Sequence, residues 1–284
     1  MKILVTGYSG QLGYDVVRYG RTQGLNMVGI SSKDVDLSLE KEVTSYIEKI
    51  KPDAIIHCAA YTAVDQAEED TEKCWDINVN GTKYLSNAAK SIKAKFMYIS
   101  TDYVFNGEGD NPFKETDSPM PIGYYGKTKY EGEKVVQHIL KEWFIVRISW
   151  VFGINGNNFV KTMLRLADTH KQLNVVGDQI GSPTYTFDLA RLLIEMIQST
   201  EYGVYHATNE GFCSWAEFAK EIFKESNKNV RVESISSEQY PTRAVRPKNS
   251  RMTKSKLVKK GFTPLPTWED AVKRYVKELK LEVK

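Results

Sequence analysis

Residues Met1-Lys2-Ile3-Leu4-Val5-Thr6-Gly7-Tyr8-Ser9-Gly10-Gln11-Leu12-Gly13-Tyr14-Asp15 decide the fold. Ile3, Leu4 and Val5 form a short apolar run, as a strand buried on both faces requires. Gly7, Gly10 and Gly13 follow at once, and a helical pattern through Val16, Val17 and Tyr19 opens there. Strand, tight glycine turn and helix together present a helix N-terminus to a pyrophosphate. Glycine in the turn can take a positive φ, and the missing Cβ lets phosphate oxygens reach backbone N–H groups. Gly13 lets the helix pack close against the sheet. Three glycines at this spacing arise by chance in roughly one chain of this length in ten. Their place at the first strand–helix junction is what gives them meaning, and we read a dinucleotide site.

Outward from that motif, strands alternate with helices. Met27–Ser31 reads as a second strand, Leu39–Ile50 as a helix with Ser38 as N-cap, and Ala54–His57 as a third strand. Thr71–Lys90 is predicted helical and Phe96–Ile99 a fourth strand. Residues 106–121, with two Gly and three Pro, form a loop. Tyr124–Leu140 is predicted helical and Phe144–Ser149 a fifth strand. This alternation implies an α/β, Rossmann-type doubly wound parallel sheet over residues 1–150. Residues 151–284 are less regular. Phe159–Ala167, Thr186–Ile197, Trp215–Phe223, Thr253–Lys260 and Trp268–Leu279 read as helices, with a short strand at Leu173–Val176. They are expected to form mainly a smaller substrate-binding lobe, with a segment near 173–200 returning to the sheet.

Bulk properties narrow the class. The 284 residues carry a net charge of +3 from 39 basic and 36 acidic side chains, which gives no sign of a nucleic-acid partner. Cys58, Cys74 and Cys213 are odd in number and widely spaced, so neither a disulfide framework nor a zinc site is indicated. No apolar run reaches the roughly 18 residues that span a bilayer, and no signal peptide is read at the start. The expectation is a cytoplasmic protein without a membrane partner.

In parallel α/β sheets, ligands bind at the carboxyl ends of the strands. After the fourth strand comes Ser100-Thr101-Asp102-Tyr103-Val104-Phe105, and Tyr124-Tyr125-Gly126-Lys127-Thr128-Lys129 opens the next helix. Tyr125 and Lys129, four apart, share one helix face. A free Tyr titrates near 10, and a nearby ammonium is expected to lower that value towards an acid–base catalyst's range. Thr101 can donate to the same substrate oxygen, and Lys129 can hold the nicotinamide ribose. A second pair, Tyr130 and Lys134, lies roughly 140° further round the helix and faces elsewhere.

With Gly7–Gly13, His57–Asp65, Ser100–Phe105, Tyr125–Lys129, Ser149–Gly153, Gly156–Leu166 and Asp178–Thr184 in view, the chain resembles an extended short-chain dehydrogenase/reductase over nearly its whole length. The resemblance implies reduction at C4 of a dTDP-linked 4-keto-6-deoxy sugar, with Tyr125, Lys129 and Thr101 catalytic. It implies that Gly10, Gln11 and Leu12 lie along the pyrophosphate, and that Asp36 and Leu37 flank the adenine. Ala59, Ala60, Tyr61 and Thr62 would lead to the nicotinamide, with Asn78 in support. Trp150 would pack on the sugar, with Thr101, Val104, Asn158, Gln179 and Thr184 as further substrate residues and Arg246 or Arg251 meeting the diphosphate. The second strand ends in Ser31-Ser32-Lys33, with no carboxylate before Asp34, so NADP(H) is favoured and NAD(H) comes second. Some relatives are described as magnesium-bridged dimers. Asp15 fits one carboxylate of such a bridge, but Phe187 falls at the other, so a monomer or weak homodimer without a metal is expected. Two other functions compete: an epimerase with tightly bound NAD, and a regulatory subunit like that of methionine adenosyltransferase.

Overall fold

In the computed structural model, which describes residues 1–282, β1 (Lys2–Thr6) enters the glycine turn and α1 (Gln11–Thr22) leaves it. There follow β2 (Asn26–Ile30), α2 (Glu40–Ile50), β3 (Ala54–His57) and α3 (Thr71–Trp75), which continues through a π turn at Asp76–Asn80 into α4 (Gly81–Ile92). β4 (Lys95–Thr101), α5 (Tyr124–Ile139) and β5 (Trp143–Ile148) complete the first half. The second half runs β6 (Val151–Phe152), α6 (Phe159–Leu166), β7 (Gln172–Val176), β8 (Ile180–Gly181), β9 (Thr184–Tyr185), α7 (Thr186–Gln198) and β10 (Gly203–His206). It ends with β11 (Cys213–Ser214), α8 (Trp215–Ser226), β12 (Arg231–Ile235), α9 (Ser255–Lys259) and α10 (Trp268–Glu282).

Six parallel strands stand in the order β10-β5-β4-β3-β1-β2. The chain goes from β1 to β2 on one side and then to β3 on the other, so the order reverses beside β1. Such a switch point leaves a crevice at the carboxyl ends, here between Thr6 and its partner His57. Successive side chains of a strand face opposite ways. Ile3 and Val5 therefore meet Val16 and Val17 of α1 and Leu189 and Leu193 of α7, while Leu4 meets the other cluster, with Val43, Ile47, Leu85 and Val136. Each such fully buried aliphatic contributes about 1.5–3 kcal/mol.

The second half divides its elements. α7 covers the sheet and β10 extends it beyond β5. β7 does not join it; it pairs with β12, a strand unseen in the sequence. The lobe packs around Phe152, Phe218 and Tyr275, with α8 started by a capping box of Ser214 and Glu217. Ser38 does not cap α2. Its hydroxyl donates to Asp36 and the residue at the N-cap is Leu39, without a side-chain bond. The expected single helix at 71–90 is interrupted by the π turn, whose consequence appears at the site.

A buried ion pair fastens α5 to the sheet. Glu133 accepts from Arg147 Nε at 2.9 Å and Nη2 at 2.7 Å, and from Ser100 Oγ at 2.5 Å. Removing one charge of a buried pair strands the other. Glu133→Gln is therefore expected to lose about 3–5 kcal/mol of stability in urea unfolding.

Candidate active site

The glycine turn is built for close approach. Gly7 sits at φ +69°, where a Cβ would meet Ala59 N at 2.8 Å. A Cβ on Gly13 would overlap the Gly7 carbonyl oxygen, so α1 can sit this close only with glycine there. Gly10 is the N-cap of α1 and offers no side chain to bond the first turn, whose N–H groups face the crevice mouth. An anion belongs there. The lobe holds this turn from the other side. Gln11 Oε1 accepts from Gly153 N at 2.9 Å and Asn158 Nδ2 at 3.0 Å, and Asn155 Nδ2 donates to Ser9 O at 2.8 Å.

A cleft of about 790 Å³ runs from this turn to the end of β4. Gly7, Gly10, Gln11, Leu12, Gly13, Ser31, Ser32, Asp36, Leu37, Ala59, Ala60 and Thr62 line the end at the glycine turn. Thr101, Asp102, Tyr103, Tyr125, Lys129 and Trp150 line the other. Lys33 is exposed and outside the lining, and the Ser31 hydroxyl donates to Asp34 Oδ2 at 2.8 Å. A carboxylate thus folds back on the turn that the sequence offers to a phosphate. Tyr61 also lies outside the lining, with its phenol on Asp70 at 3.1 Å.

The π turn explains Asn78. It turns this buried side chain towards the loop after β3, where Oδ1 accepts from Tyr61 N at 2.8 Å and Nδ2 donates to Thr128 Oγ1 at 2.9 Å. Thr128 in turn donates to Tyr125 O at 2.8 Å. The first turn of α5 is also capped from outside, because Tyr124 N donates to Glu68 Oε1 at 2.8 Å. Behind β3, Thr82 gives its hydrogen to Asn78 O, so His57 donates from Nε2 to Thr82 and accepts from Thr6 at Nδ1. Burial, with the Lys129 charge behind it, pushes His57 down to about 3 and keeps it neutral.

The lysine does not acidify the phenol as the sequence spacing predicts. Burial raises the Tyr125 phenol, the Asp102 carboxylate raises it further, and a hydrogen bond with Thr101 only partly offsets them. Lys129 lies 4.0 Å from the Tyr98 ring centroid and is pushed down to about 7 by its own burial, against the pull of Glu133. The chain therefore presents a proton-loaded phenol. Asp102 is pushed up to about 6 by burial, and Thr101 donates to its Oδ1 at 2.9 Å. Asp102 and Tyr103, whose ring meets Tyr125 edge-on at 5.6 Å, were not singled out as site residues by the sequence. The signal was their place directly after Thr101.

The sequence family described as RmlD substrate binding domain matches residues 1–281. The dTDP-4-dehydrorhamnose reductase of Aggregatibacter actinomycetemcomitans is 40% identical, over 96% of this chain and 97% of its own. The chain belongs to the dTDP-4-dehydrorhamnose reductase family. The spore coat polysaccharide biosynthesis protein SpsK of Bacillus subtilis is 39% identical, over 98% of this chain and 97% of its own. A Bacillus anthracis dTDP-4-dehydrorhamnose reductase, solved in complex with NADP, superposes with a TM-score of 0.95 at 41% identity, covering 98% of this chain and all of that one.

Several residues that family resemblance offered to the substrate are engaged elsewhere. Asn158 caps α6 by accepting from Lys161 N at 3.0 Å, and its amide also donates to Tyr275 at 3.0 Å. Gln179 donates to Ser237 at 3.0 Å, while Val104 and Thr184 are buried outside the cleft lining. Arg246 is held by Asp65 at 2.6 Å and by Tyr103 at 3.3 Å, and Arg251 by Asn249 at 3.1 Å. Gln179 and Arg251 are spent within the second half, whereas Arg246 and Asn158 tie it to Asp65, Tyr103 and Gln11 of the first. Asp15 is buried, bonded to Thr186 and paired with Arg18. The acid in the first turn of α7 is Asp188, next to Phe187, gripped by Arg274 at 2.8 and 2.6 Å.

Two outcomes follow from this geometry. Gly13→Ala must open the gap between α1 and the turn, so NADPH affinity measured by fluorescence titration should fall at least about tenfold, or 1.4 kcal/mol. Asp102 titrates near 3.8 unfolded and about 6 folded, so folding favours its neutral form. That contribution is complete below pH 3.8 and is lost as pH rises through 6. The stability difference between wild type and Asp102→Asn, followed by urea unfolding, should therefore move against wild type across that window and be flat above it.

Proposed function

We propose that this chain reduces the C4 carbonyl of dTDP-4-dehydro-L-rhamnose to give dTDP-L-rhamnose, the last step in making that sugar donor. NADP(H) is the favoured cofactor and NAD(H) the second. One observation carries the reading: Tyr125, Lys129 and Thr101 share a single cleft with the glycine turn. The glycine cradle that any Cβ would fill supports dinucleotide binding there. When bound, the reduced cofactor supplies hydride to C4. Tyr125, held neutral by its surroundings, delivers the proton to O4. Thr101, whose hydroxyl hydrogen rests on Asp102 in the structure, would turn it to the developing alkoxide once the substrate is seated. Lys129, over the ring of Tyr98, would hold the ribose hydroxyls through its ammonium. Trp150 forms the sugar's wall.

A dehydratase of this superfamily carries an acid two positions after the threonine. Here Tyr103 stands there, with a phenol raised by burial and by Asp102, and cannot remove a carbon-bound proton in that way. The carboxylates bear on the oligomeric state. Asp15 and Asp188 are satisfied within the chain by Thr186, Arg18 and Arg274, which supports a monomer or weak homodimer without a bridging metal. Three free thiols fit a reducing cytoplasm, and the product would supply polysaccharide assembly.

Purified protein should oxidise NADPH when given the dTDP-linked 4-keto sugar. Tyr125→Phe should lower turnover about 10²–10⁴-fold and leave NADPH binding intact. Tightly bound NAD with no net oxidation would point to the epimerase, and indifference to Tyr125→Phe to a regulatory subunit.

A further inference from the structure

Trp150 sits at φ +48°, in the left-handed region, where a bulky residue persists only if its surroundings hold it. Two groups do so. The Trp215 ring stacks on it with centroids 3.7 Å apart and planes 14° from parallel. On the six-membered ring, Gly181 packs so closely that a Cβ there would meet Trp150 Cε2 at 2.8 Å. The two jaws are joined, because β8 pairs with β11 and sets Gly181 opposite Cys213, two residues before Trp215. Trp215 is braced in turn by Phe159 at 4.7 Å, and the Trp150 carbonyl is anchored by Thr184 N at 3.0 Å. Trp150 lines the cleft and Trp215 does not.

We propose that Trp215 is a positioning residue for the reaction: it clamps Trp150 as a rigid wall against which the apolar face of the deoxysugar is seated. This rests on the function proposed above. A wall fixed before binding spares the ordering cost that a free indole would add to association. Loss of the clamp should therefore weaken the sugar nucleotide and spare the cofactor.

The test uses the full-length chain as wild type, Trp215→Leu, Trp215→Phe and Gly181→Ala. Steady-state rates with NADPH and the 4-keto sugar are combined with calorimetric binding of dTDP-L-rhamnose, which needs no turnover. Trp215→Leu should raise the sugar KM and the product Kd about tenfold, with kcat and the NADPH KM within about twofold. Trp215→Phe should restore most of the loss, and Gly181→Ala, which crowds the same indole, should reproduce it. The exciton signature of a stacked indole pair in circular dichroism should be present in wild type and absent in Trp215→Phe. Unchanged sugar KM and Kd in Trp215→Leu overturn the clamp. So does a parallel loss of kcat, both KM values and melting temperature. Wild type that binds dTDP-L-rhamnose without turning over its 4-keto precursor refutes the reductase reading while the binding series still judges the clamp. Wild type that does not bind the product refutes both.

Discussion

The first turn of α1 can lie against the end of β1 only because positions 7 and 13 have no side chains. From that contact follow the direction of the helix axis, the exposure of its first N–H groups and the depth of the crevice between β1 and β3. The lobe is registered to the same turn. Gln11, one residue past the N-cap, is bonded to Gly153 and Asn158, so the segment leaving β5 is indexed to the cofactor cradle rather than to the sheet alone. Trp150 stands three residues before Gly153, at the hinge of that indexing. A shift of α1 would reach Trp150 through the Gln11–Gly153 hydrogen bond and the short chain between Trp150 and Gly153.

Burial, rather than a neighbouring cation, dominates the electrostatics of the site. Tyr125, Asp102, Lys129 and Cys58 all shift toward their neutral forms, with Cys58 pushed up to about 12. Desolvation penalises every charge, and the stabilising partners, Thr101 for Asp102 and Tyr125 among them, offset it only in part. For a ketone reduction this has a use, since the proton donor must arrive loaded. It also means that the balance of charge in the working site depends on what the cleft contains. The carboxylate of Glu133, one helical turn beyond Lys129, is bonded by Arg147 and Ser100.

How much the sequence disclosed depends on the range of the interactions involved. The glycine spacing, the apolar runs of β1, β3, β4 and β5 and the four-residue step from Tyr125 to Lys129 are local patterns, and each marked its element. Asn78 was recognisable as a supporting residue, but the π turn that aims it is set by contacts with Tyr61 and Thr128, far away in sequence. Ser38 has a capping residue's chemistry, yet Asp36 two residues back competes for its hydroxyl and wins. The direction of the Tyr125 shift was misread because helix spacing gives proximity, whereas desolvation depends on everything packed around the ring. β12 escaped notice since Arg231–Ile235 carries alternating charges that suit an exposed ribbon as well as a loop. In the lobe, Asn158 and Gln179 carry polar groups of the right kind for a ligand, and only their tertiary partners show them to be taken.

The order of strands in the sheet has a bearing on biosynthesis. β5 is complete at residue 148, but its outer neighbour β10 is made of residues 203–206, after α6 to α7 have been spelled out. A nascent chain that has left the ribosome only as far as β5 can pair that strand with β4 but displays the unpaired outer edge of Phe144 to Ile148. Such an edge invites pairing with other unfinished chains until the sixth strand arrives. The returning segment thus acts late in synthesis as the closure that makes the nucleotide-binding half safe from association, so the two halves are obliged to mature together.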